Sequence, residues 1–295
     1  MTEDQTHTRD HPIDALTLEG LRYVEVETSR FCNRRCPWCP NGHTRARREQ
    51  QLMDWEVFTK ITAELGAFGY DGFFAFHNYN EPLANARLFD EIARLRKDAL
   101  GAKPAIYTNG DLLTRDLLNR MVDAGVAYLR ITRYPRRADE QPTFEDLHTW
   151  LSKRKLLSGG IDWQYAPVRQ GLAATWQDAV SGMKVEVIRP QISSYNDRGG
   201  TATVPRLLPM RTEPCRMTET SISVDYRGQM KMCCNVAPEP GQHQQYIVGY
   251  VADFTLAELW NSPSMVDWRN RHAKADWSRS AACRTCVQAL PETRQ

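Results

Sequence analysis

Residues 23–39 read YVEVETSRFCNRRCPWC, a β-rich run that passes directly into three cysteines, Cys32, Cys36 and Cys39. The stretch Tyr23 to Thr28 is bounded by polar residues and has strand character, so the thiols fall on the loop that follows a strand. In a barrel of parallel strands, the loops at the C-terminal strand ends build the active site. The triplet offers three thiolates within eight residues, with no histidine or fourth cysteine among them, and leaves one coordination position open. A structural zinc ion, the alternative reading, wants four closed ligands. A cubane iron–sulfur cluster fits better, because three thiolates hold three irons and the fourth stays free for a small molecule.

Outward from this loop, strand and helix signals alternate. MDWEVFTKITAELGAFG sets Trp55, Phe58, Ile61 and Leu65 at helical spacing as a buried face that stops before Gly66, with Asp54 as candidate N-cap. GFFAF (72–76) is a short apolar strand followed by the polar segment HNYNEPL. Residues 84–98 read as a helix with Leu88, Ile92 and Leu95 on one face. PAIYTNGDLL is a third strand entering a turn, RDLLNRMVDAG a third helix ending at Gly125, and AYLRIT (127–132) a fourth strand. This alternation predicts an α/β fold of parallel strands with crossover connections. Between Tyr134 and Gly182 the pattern weakens, and only 147–157 reads as helix. MKVEVIRP (183–190) restores a strand, followed by the loop SSYNDRGG. SISVDYRGQMKMCC then predicts a hairpin turning at Asp225 to Gly228, and TLAELWNS a short helix.

The chain has 295 residues with 38 Lys and Arg against 36 Asp and Glu, a net charge of +2, so it lacks the basic footprint of a dedicated nucleic-acid binder. No apolar run approaches the roughly 18 to 20 residues that span a bilayer, and the N-terminus has no signal-peptide pattern. A cytoplasmic chain with neither nucleic-acid nor membrane partners is expected, its first twenty or so residues forming a mobile segment. That setting disfavours disulfides for the eight cysteines and favours reduced thiolates used as ligands. Beyond the triplet, the cysteines are Cys215 before the hairpin, Cys233 and Cys234 after it, and the terminal pair Cys283 and Cys286.

The CxxxCxxC loop with Trp38 before its last cysteine, followed in order by NEPL (80–83) and YTNG (107–110), resembles the radical S-adenosylmethionine (SAM) enzymes. The resemblance covers roughly residues 21–290 and implies a partial (β/α)6 TIM barrel over 21–210. A [4Fe-4S] cluster on Cys32, Cys36 and Cys39 would chelate SAM through its open iron. Trp38, Asn80, Glu81, Pro82, Thr108, Asn109 and Gly110 are the implied SAM-binding positions, with Asn80 standing where the family usually has glycine. Residues 211–295 resemble the twitch domain, a shortened SPASM domain of β-hairpin and helix. There Cys215, Cys233, Cys283 and Cys286 would hold an auxiliary [4Fe-4S] cluster; four cysteines are also a structural zinc set.

More narrowly, FHNYNEPL, AIYTNGDLLT, NDRGG and the twitch spacing resemble the 2-deoxy-scyllo-inosamine dehydrogenase and epimerase group of aminoglycoside and oligosaccharide antibiotic biosynthesis. Those enzymes act on carbinol C–H bonds of cyclitols or sugars. Arg198 matches the arginine that lies at the substrate hydroxyl, and His77 and Asn235 are further candidate substrate contacts. The implied partners are a small sugar, aminocyclitol or oligosaccharide and an external one-electron reductant such as flavodoxin or ferredoxin.

One cysteine, Cys234, is left after three and four ligands are assigned. Free cysteine is often simply a small buried hydrophobe. Facing substrate, its weak S–H bond would return a hydrogen atom to a carbon radical and invert the carbinol. Without that return, loss of a proton and an electron gives a ketone. The group's epimerases quench through a cysteine, so epimerisation with Cys234 as donor is expected, dehydrogenation being the alternative. Cys233 and Cys234 could exchange ligand and donor roles, although hairpin register favours Cys233 as ligand. A zinc-stabilised binding module is the non-enzymatic alternative.

Overall fold

The computed structural model describes residues 17–43, 51–154, 156, 162–168, 171–205, 208–237 and 243–286; most of the expected N-terminal segment lies outside them. Among the described residues, ten strands form one open sheet in the order β10-β9-β8-β1-β2-β3-β4-β7-β6-β5. They are β1 (Tyr23–Val26), β2 (Phe73–Ala75), β3 (Lys103–Thr108), β4 (Tyr128–Thr132), β5 (Gln164–Val168), β6 (Gly171–Gln177), β7 (Lys184–Pro190), β8 (Ser221–Val224), β9 (Gln229–Lys231) and β10 (Ile247–Tyr250). The neighbours β8, β1, β2, β3, β4 and β7 pair in parallel, and β8-β9-β10 and β7-β6-β5 continue the two edges antiparallel. The expected hairpin therefore extends the main sheet, with Ser223 level with Glu25 of β1.

Helices follow the first four strands: α1 (Trp55–Ala67), α2 (Leu88–Asp98), α3 (Arg115–Asp123) and α4 (Phe144–Lys153). The remaining helices are α5 (Met217–Thr220), α6 (Leu256–Trp260), α7 (Pro263–Ala273) and α8 (Ala281–Arg284). Helix α1 starts where Asp54 accepts the Glu56 N–H and buries Phe58, Ile61 and Leu65. Trp55, expected in that buried face, is 36% exposed and packs on Phe58 and the Arg87 guanidinium at the rim. Helix α2 begins at Leu88 rather than 84, because Pro82–Ala84 form a 3-10 turn and Asn85 Oδ1 takes the Arg87 N–H. Helix α4 spans 144–153 rather than 147–157, set by the Thr143 cap on Asp146 N. The β5–β6 meander fills the stretch where sequence periodicity fails; β5 lies at the sheet edge and is mostly exposed, so it carries no apolar alternation.

Along the parallel strands, side chains alternate between two faces. Val24, Val26, Phe74, Ile106, Leu129, Ile131, Val185 and Val187 enter the core that packs under the helices. Their alternates, Tyr23, Glu25, Tyr107, Tyr128, Arg130, Lys184 and Glu186, line a cavity on the opposite face. The cysteine triplet, the NEPL turn, the TNG turn and the 195–198 loop follow the C-terminal ends of β1, β2, β3 and β7.

Candidate active site and two thiol centres

The three loops that carry the triplet, NEPL and TNG are fastened together by polar contacts. Arg34, between Cys32 and Cys36, forks onto Asp111 at 2.6 and 2.5 Å, and Asn33 reaches the same carboxylate at 3.2 Å. The fork holds the Asp111 carboxyl below its usual range. Glu81 is buried; it accepts from Leu83 N, Thr108 Oγ1 and Asn109 N, and its own N–H donates to Phe31 O at 2.8 Å. Burial pushes its carboxyl up against those hydrogen bonds. Asn109 donates to Asn33 at 2.7 Å. Gly42 closes the triplet loop, where a Cβ would stand 2.2 Å from the Cys36 carbonyl oxygen.

Cys32, Cys36 and Cys39 are half-buried and line a cavity of about 630 Å³. Burial pushes the Cys32 and Cys36 thiols up to about 12. Of the positions implied for SAM, Asn80, Glu81, Thr108 and Asn109 line this cavity too, whereas Trp38 is buried at 6.2 Å from the Tyr134 ring and Pro82 starts the 3-10 turn. The Asn80 side chain braces its own loop, accepting from Asn78 N at 3.0 Å and donating to Ser29 Oγ at 3.3 Å. Gly110 turns the chain at φ 75° beside Ile131. Asn41 Oδ1, buried on the cavity wall, has no hydrogen-bond partner among the described residues, which suits a bound polar molecule there.

Deeper in the same cavity, His77 stacks on Tyr107 at 4.2 Å and sets Nε2 3.3 Å from Glu25 Oε2. Glu25 also accepts from Asn78 Nδ2 at 2.5 Å and Ser223 Oγ at 3.2 Å. Arg198 lies over the Tyr79 ring, its Nη1 donating to Tyr79 Oη at 3.1 Å. It sits at φ 50°, followed by Gly199 and Gly200 also at positive φ, a left-handed conformation that costs a residue with a side chain about 1 kcal/mol or more.

Cys215, Cys233, Cys283 and Cys286 line a second, small void with Met217, His272 and Trp277. Among the described residues, no three His, Cys, Asp or Glu groups converge on a point for one metal ion. Thiols spread around a shared void suit a cubane, in which each sulfur takes a different iron. Cys233 lines only this void, whereas Cys234 and Asn235 line both it and the large cavity. The Cys234 carbonyl is pinned by Asn78 Nδ2 at 2.9 Å and Tyr79 Oη at 3.2 Å. The Asn235 side chain turns to the Ala282 carbonyl at 3.1 Å, bridging the post-hairpin loop to α8.

Sequence reasoning missed Glu25, Asn78, Arg130, Lys184 and Glu186 as cavity residues. For the four charged ones the signal was alternation: charged residues at every second position of YVEVE, YLRIT and KVEVI belong to parallel strands, which are ordinarily apolar on both faces.

A thiol triplet at the mouth of a parallel α/β sheet, beside a four-thiol centre, matches two domain families in order. The model of the radical SAM superfamily matches residues 26–132, and that of an iron–sulfur cluster-binding domain, SPASM, residues 215–287. The chain carries both domains, which imply SAM and two iron–sulfur clusters as its cofactors. It is similar to the S-adenosyl-L-methionine-dependent 2-deoxy-scyllo-inosamine dehydrogenase of Niallia circulans, 21% identical over 92% of this chain and 95% of that protein. A shorter match, 30% identical over 36% of this chain and 29% of the relative, is to the cofactor-modifying protein of a tungsten-containing aldehyde ferredoxin oxidoreductase from Pyrococcus furiosus. Among solved structures, BtrN in complex with AdoMet and 2-DOIA superimposes with a TM-score of 0.67 at 21% identity, covering 91% of this chain and 94% of that one. The anSMEcpe protein with bound AdoMet gives 0.52 at 13% identity, covering 92% and 88%. At these identities the superpositions establish a shared fold. No helix among the described residues is long and apolar enough to cross a membrane.

Proposed function

We propose that this chain is a radical SAM dehydrogenase that oxidises a carbinol carbon of an aminocyclitol, sugar or aminoglycoside antibiotic intermediate to a ketone. The reading is carried by one observation, the cavity of about 630 Å³ whose wall runs from the triplet thiols to Cys234 and Asn235 beside the auxiliary centre. The name of the Niallia circulans relative supports oxidation over the epimerisation expected from sequence, for which the relatives offer no support. Cys32, Cys36 and Cys39 would hold the cluster that, with SAM and an external flavodoxin- or ferredoxin-like reductant, would supply hydrogen-atom abstraction at the carbinol, and Cys215, Cys233, Cys283 and Cys286 would hold a cluster that would supply an acceptor for the remaining electron.

The protein's own residues handle orientation and the proton. Arg198, held against Tyr79, would grip the hydroxyl oxygen. The His77–Glu25 pair, Nε2 to Oε2 at 3.3 Å, would take the hydroxyl proton. Tyr23, Phe73, Tyr107 and Tyr128 line the cavity and would pack against the C–H face of a saturated ring. The substrate loses a hydrogen atom, a proton and an electron, which is the balance of carbinol to ketone.

One observation favours the second reading, inversion: the half-buried Cys234 lines the substrate cavity. Incubating the anaerobically reconstituted enzyme with SAM, dithionite and a panel headed by 2-deoxy-scyllo-inosamine in heavy water separates the two. A ketone two hydrogens lighter supports oxidation; an isomer of unchanged formula carrying deuterium at one carbon supports inversion through Cys234 and refutes it.

A further inference from the structure

One thiol of the auxiliary set has two side-chain hydrogen-bond partners from outside that set. Ser280 Oγ donates to Cys283 Sγ at 3.0 Å, and His272 Nε2 lies 3.5 Å from the same sulfur. Ser280 holds the N-cap position of α8, where a serine hydroxyl ordinarily accepts from a backbone N–H of the first turn. It makes no such bond, and its hydroxyl points to sulfur instead. His272 is buried near the end of α7 between the rings of Trp268 and Trp277, at 5.8 and 5.4 Å. Its Nδ1 lies 3.1 Å from the Thr218 hydroxyl. A thiolate bound to iron has no proton to give, so the proton of the sulfur contact sits on Nε2 and Thr218 donates to Nδ1, fixing the tautomer. His272 also accepts the Cys215 N–H through its carbonyl at 3.1 Å, so one residue steadies two ligands from separate segments. By contrast, Cys233 receives the Asn235 backbone N–H at 3.4 Å, a contact that does not depend on the side chain at 235.

We propose that His272 and Ser280 are positioning residues that raise the reduction potential of the auxiliary iron–sulfur cluster by hydrogen bonding to the Cys283 thiolate. An added electron increases the negative charge shared by the cluster sulfurs, and donors aimed at one of them stabilise the reduced form more than the oxidised form. No bond to hydrogen breaks; both protons stay on Nε2 and Oγ while one electron enters. A raised potential suits a centre that receives an electron from substrate. The inference rests on the cluster at Cys215, Cys233, Cys283 and Cys286 and not on the identity or fate of the substrate, so a failed substrate assay leaves it standing.

The test is an EPR-monitored redox titration of the reconstituted full chain, with and without SAM to mark the signal of the triplet cluster. Wild type is compared with His272→Phe, which keeps a ring between the tryptophans, with His272→Gln and with Ser280→Ala. The expected result is unchanged iron and sulfide content, an unmoved SAM-responsive potential and an auxiliary potential that becomes more negative in His272→Phe and Ser280→Ala. The shift should be largest in the double variant and smaller in His272→Gln, whose amide can still donate. An auxiliary potential unchanged in both single variants overturns the proposal, as does an equal shift of both clusters, the mark of general loosening. Should His272→Phe fail to load its cluster, Ser280→Ala decides by the same criterion.

Discussion

The two thiol centres meet the interior of the protein in opposite ways. Cys32, Cys36 and Cys39 are half-buried on one loop and open onto a cavity of about 630 Å³. Cys215, Cys233 and Cys283 are buried in an apolar cluster with Met217, Met232, Val236, Tyr246, Trp268 and Trp277, and half-buried Cys286 completes the wall of the void. The triplet loop is held by hydrogen bonds and an ion pair, which fix its path while leaving its sulfurs facing space. The auxiliary set is held by packing between separate segments, which leaves little room for a molecule. A small molecule can reach the first centre; the second is suited to exchanging electrons.

The hardest test of that division removes one thiol from each side. Cys36→Ala should bring 5′-deoxyadenosine formation from SAM to background while one cluster's worth of iron remains, read by chromatography and iron analysis. Cys286→Ala should spare SAM cleavage but lower ketone formation at least about tenfold, a barrier increase of roughly 1.4 kcal/mol. If Cys286→Ala abolishes SAM cleavage as completely as Cys36→Ala, the two centres are not separable in this way.

Cys234 lies on the boundary and sharpens the contrast further, because it lines both spaces. For an oxidation, Cys234→Ala should change ketone yield by less than about threefold, under about 1 kcal/mol of barrier, since neither the hydrogen nor the electron passes through this thiol. Complete loss of product, with both clusters loaded, would move Cys234 into the chemistry and favour inversion.

The triplet was legible because its spacing is local: Cys32, Cys36 and Cys39 fall within eight residues on the loop that follows β1. The Asp54 cap and the hairpin at Asp225–Gly228 were legible for the same reason. What sequence hid was long-range. His272 reaches Cys283 only because the chain folds back between α7 and α8, and Arg34 meets Asp111, 77 positions away, only because β1 and β3 end at the same mouth. Strand β5 escaped notice because an exposed edge strand needs no apolar period. The preference for inversion came from the one thiol that ligand counting leaves over, and a thiol on a cavity wall is compatible with either outcome.

The smallest expected effect concerns how the open centre is held. The Arg34–Asp111 fork is partly exposed, with side chains 22% and 36% accessible, so solvent screening limits it to about 0.5–1 kcal/mol. Asp111→Asn should therefore lower the melting temperature by only about 1–3 °C at neutral pH. The same change should weaken retention of the triplet cluster during gel filtration, whereas the auxiliary centre, which this fork does not touch, should keep its iron. Because Arg34 depresses the Asp111 carboxyl in the folded chain, the unfolded chain takes up the proton first as pH falls. The stabilisation is fully present above the ordinary aspartate value of about 3.9 and disappears as pH drops through it toward the lower folded value. The gap in melting temperature between wild type and Asp111→Asn should thus be constant from pH 7 to about 5 and close toward pH 3. A gap that widens on acidification would mean that the fork does not hold the triplet loop by charge.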